Sequence, residues 1–241
     1  RSPRAVRTYG FAEGADVRAT DVRQNGSEMH FMLHLPDEQP LAAVLHLPGR
    51  HNVQNACAAA AIALEIGIAP ATIIDGLARF GGVGRRFHIH DDLPLDQGSV
   101  MFVDDYGHHP RELRAVIEAA RGGWPDKRLV LAFQPHRYTR TRDLIDDFAE
   151  VLSLADVVVL SEVYSAGEAP IAGADGRALA RAVRARGRVD PVFVSHPHEL
   201  PMVLPDLLHD GDLLLLQGAG DIGAVAQELE ARAHLRSGAK S

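Results

Sequence analysis

Two short stretches of this chain concentrate side chains that can hold an anion or move a proton. One is Asp104-Asp105-Tyr106-Gly107-His108-His109-Pro110, and the other is Gln134-Pro135-His136-Arg137-Tyr138-Thr139-Arg140-Thr141-Arg142. A guanidinium is a planar fork of donors that matches a carboxylate or a phosphate, whereas an imidazole changes charge near neutral pH. Side by side, they suit anion recognition coupled to proton transfer. Two further stretches add polar groups: Glu162, Tyr164 and Glu168, then Gln217-Gly218-Ala219-Gly220-Asp221. Backbone donors at the start of a helix near Asp221 can add an anion or amide site. Plainer readings stand beside these, since Arg140 and Arg142 can also be solvated charges on a helix face. Adjacent residues such as His108 and His109 rarely chelate one ion, and no HxH or HxxxH spacing supports them, so no metal site is expected here. Gly218-x-Gly220 with Gly223 comes too late in the chain for a dinucleotide fingerprint, which disfavours an oxidoreductase.

The elements that must position these residues are legible as an alternation. Apolar runs at Val100–Val103, Leu129–Phe133, Val157–Leu160, Val192–Val194 and Leu213–Leu216 are each followed by a helical pattern. The helices carry Leu113, Val116, Ile117 and Ala120; then Leu144, Ile145, Phe148, Val151 and Leu152; then Arg177–Arg186; a weaker one near Leu200–Leu208; and Ile222–Ala233. Short continuous apolar strands belong to a mostly parallel sheet covered on both faces. The pattern predicts an open, doubly wound, Rossmann-like α/β domain with right-handed crossovers. In such a sheet the polar loops all leave at the carboxyl edge, where ligands bind.

Upstream, residues 6–47 alternate with period two (Val17 and Ala19; Phe31, Leu33 and Leu35; Leu41, Ala43, Leu45 and Leu47), with turn signals at Asn25-Gly26 and Pro36-Asp37. This predicts a small, half-buried antiparallel sheet, with His30, His34 and His46 at polar or flanking positions rather than as ligands. An alanine-rich helix is expected over about Val53–Ile66, stopped by Gly67, and a second begins at Pro70. Asn52 and Asn55 lie one helical turn apart, and such paired amides can read an adenine edge or satisfy a buried helix start; the residues alone leave both open. Cys57 on the apolar face is expected to be inert, and Trp124 to cap the sheet end. Glycine and charge replace periodicity between Phe80 and His90, which places a domain boundary there.

Composition narrows the function classes. With 46% hydrophobic and 24% charged residues in 241, the chain is globular, and a net charge of -7 argues against a nucleic-acid partner, so phosphate binding must be local. No apolar run reaches the roughly 18 residues of a membrane span, and no signal peptide is read at the start. A single cysteine suits a reducing compartment. The start without Met reads as a fragment, Met removal or a cloning scar, and residues from Gly238 to Ser241 as a frayed end.

Taken together, Gly49-Arg50-His51-Asn52-x-x-Asn55-Ala56, Gly84-Arg85-Arg86-Phe87, Asp104-Asp105-Tyr106-Gly107-His108-His109-Pro110, the Phe133–Arg142 stretch and Gln217-Gly218-Ala219-Gly220 resemble the Mur ligases. The His-Arg-Tyr-Thr-Arg and Tyr-Gly-His-His-Pro forms are similar to the member that adds L-alanine. The resemblance implies a bacterial, cytoplasmic enzyme of peptidoglycan precursor synthesis. It would join L-alanine to the carboxyl of UDP-N-acetylmuramate, using ATP and Mg²⁺, through an acyl phosphate. On this resemblance Asn52 and Asn55 match adenine-side asparagines, Arg86 (with Arg85 as a less certain neighbour) the arginine near the nucleotide phosphates, and Asp105 the ribose contact. Tyr106, His108, His136, Arg137 and Arg140 match the substrate cleft, with Arg86, His108 and Arg137 as its catalytic members. The family's Gly-Lys-Thr loop is missing, because the chain's lysines are Lys127 and Lys240 and neither follows a glycine-rich loop. The family's Mg-binding residues and phosphate loop are therefore expected upstream of residue 1. Residues 1–84 would end a central ATP-binding domain and 85–241 would form the amino-acid-binding domain. Without that loop the chain by itself is expected to be inactive. A noncatalytic nucleotide- or anion-binding α/β module is the competing expectation.

Overall fold

A computed structural model describes residues 6–90 and 92–238, with backbone alone over 232–238; Arg1–Ala5, Asp91 and residues 239–241 lie outside the described residues. The expected frayed C-terminus falls almost wholly outside that range. The chain divides into two units, one running to Gly82 and including Glu118–Pro125, the other comprising Val83–Ile117 and everything from Asp126.

The first unit holds β1 (Tyr9–Gly10), β2 (Val17–Asn25), β3 (Glu28–His34), β4 (Leu41–Leu45), α1 (Arg50–Glu65) and α2 (Pro70–Ala78). The strands pair in the order β1-β2-β3-β4. Alternating residues of β2 and β3 are buried, which puts Val17, Ala19, Phe31 and Leu33 on one face with Val53, Cys57, Ala60 and Ile73. Gly26 (φ 56°) makes the turn between β2 and β3, where positive φ at the first central residue favours glycine. The expectation of an all-antiparallel sheet needs one correction: β1 pairs with β2 in parallel. Two-residue β1 is too short for its direction to be read from a period. Helix α1 starts at Arg50, three residues before its apolar face begins, and α2 carries Pro70 in its first turn as expected.

The second unit is built on β7 (Ser99–Asp105), α3 (Pro110–Gly123), β8 (Leu129–Phe133), α4 (Tyr138–Asp143), α5 (Ile145–Leu152), β9 (Val157–Leu160), α6 (Gly176–Ala185), β10 (Val192–Phe193), α7 (Leu200–Val203), β11 (Leu213–Gln217) and α8 (Ile222–Gly238), preceded by short strands β5 (His88–Ile89) and β6 (Leu93–Pro94). The sheet order is β10-β9-β8-β11-β7-β5, with β6 also on β7. Strands β7 to β11 run parallel to their neighbours, and β5 and β6 are antiparallel. Both faces are covered, which is why these strands are apolar without alternation. Val100, Phe102, Val130, Ala132, Leu214 and Leu216 share a core with Ile222, Val225 and Ala226 of α8. On the opposite face Phe133 meets Phe148 of α5, ring centroids 5.6 Å apart. Among the described residues no helix is long and apolar enough to cross a membrane.

Register decides where the loops emerge. Gln217 of β11 pairs with both Asp105 of β7 and Phe133 of β8, and Phe133 pairs with Leu160 of β9. Four strands therefore end at one level, and the polar stretches that follow them leave the sheet side by side.

Candidate active site

Asp104 and Asp105 end β7, both about 3% exposed. Strand alternation sends their side chains to different partners. Asp104 accepts from Arg85 Nε at 3.0 Å, while Arg85 Nη2 donates to the Gly218 carbonyl at 2.6 Å. Burial raises the Asp104 carboxyl above its ordinary value, and the Arg85 hydrogen bond and charge oppose this only in part. Asp105 accepts three hydrogen bonds: the Phe87 N–H at 2.8 Å, the Gly107 N–H at 2.7 Å and Gln217 Nε2 at 3.0 Å. A carboxylate offers about four acceptor positions, so a ribose hydroxyl would have to use the one that remains or displace a donor. Gln217 Oε1 is buried without a hydrogen-bond partner among the described residues. Gly218 (φ 149°) passes the second loop so closely that a Cβ there would lie 2.8 Å from the Gln134 carbonyl.

Glu112, in the first turn of α3, organises the histidine loop. One of its oxygens accepts the His108 N–H at 2.9 Å and the His109 N–H at 3.1 Å. Burial alone would raise this carboxyl, but the His108 N–H, the His108 charge, the His109 N–H and Arg86 together bring it below its ordinary value. Arg86 stands 3.9 Å from Glu112, half exposed, with its guanidinium 5.7 Å from the Tyr106 ring. Of these two adjacent arginines, Arg85 is engaged with Asp104 and Gly218, and Arg86 is the less engaged. His108 Nδ1 lies 3.2 Å from the Tyr106 carbonyl. That contact requires a proton on Nδ1 and leaves Nε2 as a lone pair in the neutral ring.

The arginine loop meets this one through its histidine: the His108 and His136 rings are 5.3 Å apart. Arg140 Nη1 donates to the His136 carbonyl at 3.0 Å and approaches its Nδ1 at 3.4 Å. Burial first, then the charges of His108, Arg140 and Arg137, lower the His136 pKa from its ordinary value, with Glu168 opposing. His136 is thus a neutral imidazole among cations, its Nδ1 facing a donor. Tyr164 stacks on its other side at 5.3 Å. Arg137 begins the short helix α4 with φ 74°, and its Nη1 is 3.4 Å from Glu168 Oε1. Arg142 is exposed and paired with its neighbour Asp143, the solvated reading.

Asn52 and Asn55 belong to the first unit. Asn52 is buried and donates to the Pro48 carbonyl at 2.8 Å, while Asn55 Nδ2 reaches Asn52 Oδ1 at 3.4 Å. Asn52 therefore ties the helix to the Pro48 carbonyl before it and caps none of its N–H groups, and Asn55 is exposed. His34 bonds Thr20, and His30 and His46 pair with Glu28. Burial pushes the Cys57 thiol up to about 11, which leaves it unreactive. Among the described residues no group of three His, Cys, Asp or Glu could hold a metal ion.

The model of the Mur ligase glutamate ligase domain matches residues 85–220, more than half of the chain, and that of the Mur ligase middle domain matches residues 1–63. The chain belongs to the Mur ligase family. Similar Mur ligases include the UDP-N-acetylmuramate–L-alanine ligases of Xanthomonas oryzae pv. oryzae and Xanthomonas campestris pv. campestris, each 62% identical over 230 residues, covering 95% of this chain and 48% of theirs. Among solved structures, the UDP-N-acetylmuramate-alanine ligase of Thermotoga maritima superposes with a TM-score of 0.75 at 28% identity, covering 97% of this chain and 48% of that one. MurF from Acinetobacter baumannii shares the fold at a TM-score of 0.69 and 22% identity. The chain spans about half the length of the curated Mur ligases it matches.

Within this Mur ligase chain, Arg86, Asp105, Tyr106, His108, His136, Arg137 and Arg140 all lie at the carboxyl edge of one sheet. Of the two carboxylates that order them, sequence reading missed Glu112 and named Glu168 only as a polar group of its loop, without a role. Glu112 had a usable signal, an acid four residues after His108 in the first helical turn. Glu168 had a weaker one, its place just after the Ala166-Gly167 turn.

Proposed function

We propose that this chain supplies the amino-acid-binding part of an ATP-dependent ligase that joins L-alanine to the carboxyl of UDP-N-acetylmuramate. The reading is carried by the level ends of β7, β8, β9 and β11, which bring Arg86, His108, His136, Arg137 and Arg140 to one edge of the sheet. Residues 1–84 are read as the end of an ATP-binding domain, and 85–241 as a Rossmann-like ligase domain. The 62% identity to L-alanine ligases supports the choice of amino acid.

In this reading Arg137 and Arg140 hold carboxylates, with Tyr106 and His136 shaping the same cleft. Neutral His136 adds a donor without adding charge. Substrate carboxylate oxygen takes the terminal phosphoryl group of ATP, releasing ADP and leaving an acyl phosphate. The amine then attacks the acyl carbon, loses a proton and expels phosphate. When the His108 ring is neutral with its proton on Nδ1, its Nε2 would take that proton. Arg86 would face the phosphates, where a cation offsets charge developing on transferring oxygens. Asp105 would reach a ribose through its remaining acceptor position; in the first unit, taken by itself, the Asn52–Asn55 amide pair would read an adenine edge. A magnesium ion would neutralise phosphate charge when bound. The described residues offer it no cluster, so no step is assigned to it here. ATP and UDP-linked substrates are soluble nucleotides, which fits a cytoplasmic protein.

The experiment is steady-state ligation by the full-length gene product, with and without Arg137→Ala. L-alanine-dependent phosphate release is expected, and the substitution should raise the L-alanine KM by roughly ten- to a hundredfold, the effect of losing one charge-assisted hydrogen-bonding group. A protein that binds unrelated anions equally well before and after the change would be a noncatalytic anion-binding module instead.

A further inference from the structure

The loop between β9 and α6 contributes no residue to the reaction just described, yet it grips the arginine loop along its length. Tyr164 N–H donates to the Pro135 carbonyl and Arg137 N–H to the Tyr164 carbonyl, each at 2.8 Å. Ala166 (φ 51°) and Gly167 (φ 85°) turn the chain in the left-handed region just before Glu168. That carboxylate then accepts the Thr139 N–H at 3.0 Å, the Thr139 hydroxyl at 2.8 Å and Arg137 Nη1 at 3.4 Å. The Thr139 N–H, the Thr139 hydroxyl and Arg137 lower the Glu168 pKa from its ordinary value, which favours the anion.

Arg137 needs such a tie. Its φ of 74° is unusual for a residue with a side chain, and its guanidinium is nearly half exposed. A free arginine in that position samples many rotamers and loses them on meeting a ligand. Glu168 takes one donor of the guanidinium, Nη1; among the described residues the remaining donors have no hydrogen-bond partner. A side chain held along one edge keeps the rest of its planar donor set ready for a second carboxylate. Repulsion between that carboxylate and Glu168 is weakened by solvent at this partly exposed site, whereas the new hydrogen bonds act at contact distance.

We propose that Glu168 is a positioning residue for the incoming amino acid: by fastening Thr139 and one edge of Arg137, it preorganises the free part of that guanidinium for the amino-acid carboxylate. The proposal rests on the amino-acid-ligase reading above. It concerns binding rather than bond making, so its signature is a change in KM for one substrate.

The test is steady-state kinetics on the full-length enzyme with L-alanine and ATP varied separately. Glu168→Gln should raise the L-alanine KM about tenfold, with kcat and the ATP KM moving by less than about twofold. Glu168→Asp, which keeps the charge on a shorter arm, should recover part of the loss. In an Arg137→Ala background, Glu168→Gln should add nothing, because the group it positions is gone. An unchanged or lower L-alanine KM, a fall in kcat common to all substrates, or additive effects of the two substitutions would each overturn the proposal. If Glu168→Gln fails to fold by circular dichroism, Glu168→Asp and Thr139→Val decide it by the same KM split: Thr139→Val keeps the Arg137 pair and should give the smaller rise, and no rise in either variant overturns the role. Wild-type enzyme that releases no phosphate with L-alanine overturns the ligase reading itself, whereas turnover with an unmoved KM in Glu168→Gln overturns only the role of Glu168.

Discussion

His136 carries a proton less readily than a free histidine because it is partly buried and has His108, Arg140 and Arg137 around it. The folded pKa is below the 6.5 of an unperturbed ring, so between the two values the unfolded chain binds more protons. Stability is therefore unaffected above 6.5 and falls as the pH drops from there toward the folded value. Urea unfolding at about pH 8 and about pH 5 should show a smaller loss in His136→Gln than in wild type, and a ring-proton titration of His136 with a midpoint at or above 6.5 would contradict the assignment. Asp105 offers a second residue-level test. Asp105→Ala would leave the buried N–H groups of Phe87 and Gly107, and Gln217 Nε2, without their acceptor. Unsatisfied buried donors of this kind cost on the order of 3 kcal/mol in total, to be read as a lowered urea midpoint at unchanged m-value. A change below about 0.5 kcal/mol would mean that solvent reaches those donors.

At the scale of elements, α6 shows how a single side chain sets a boundary. Asp175 accepts the Ala178 N–H at 2.6 Å as its N-cap, ahead of the buried Leu179 and Val183. Asp175→Ala should cost about 1 kcal/mol in chemical denaturation, and no measurable change would show that the helix start is fixed by Gly176 and the Glu162 contact instead. The strands of the parallel sheet were legible from sequence because a strand buried on both faces leaves an uninterrupted apolar run, and β8 and β9 match their expected bounds to the residue. The helix expected to carry Leu144 to Leu152 is α5, and a second short helix, α4, precedes it, the two meeting where Leu144 adopts φ -123°. Periodicity does not reveal α4, because Tyr138–Asp143 has no apolar face to repeat. The weak helix expected near Leu200–Leu208 is a string of 3-10 and α turns. Its cause was visible in hindsight: Pro197, Pro201 and Pro205 recur every fourth residue and remove the donors a continuous helix needs. At the cleft, sequence marked the charged and aromatic groups. It could not show which arginine was already engaged, because Arg85 meets Asp104 and Gly218 only through the fold.

For the whole molecule, the net charge of -7 coexists with Arg85, Arg86, Arg137 and Arg140 at one edge of a sheet, so the proposed anion binding would depend on placement rather than on overall charge. These residues contain no Gly-Lys-Thr loop to hold the β- and γ-phosphates, and this polypeptide alone is expected to release no phosphate from ATP with UDP-N-acetylmuramate and L-alanine. Turnover above the no-enzyme blank would refute that. The position of β11 has a different kind of consequence. It lies between β7 and β8, although it is the last strand in chain order among the described residues. A nascent chain ending before Leu213 carries two bare strand borders facing an empty slot, each able to recruit a stranger's backbone. The sheet thus closes only once β11 is made, and a stop codon placed after Asp210 should send the product to the insoluble fraction, while one placed after Gly238 should not.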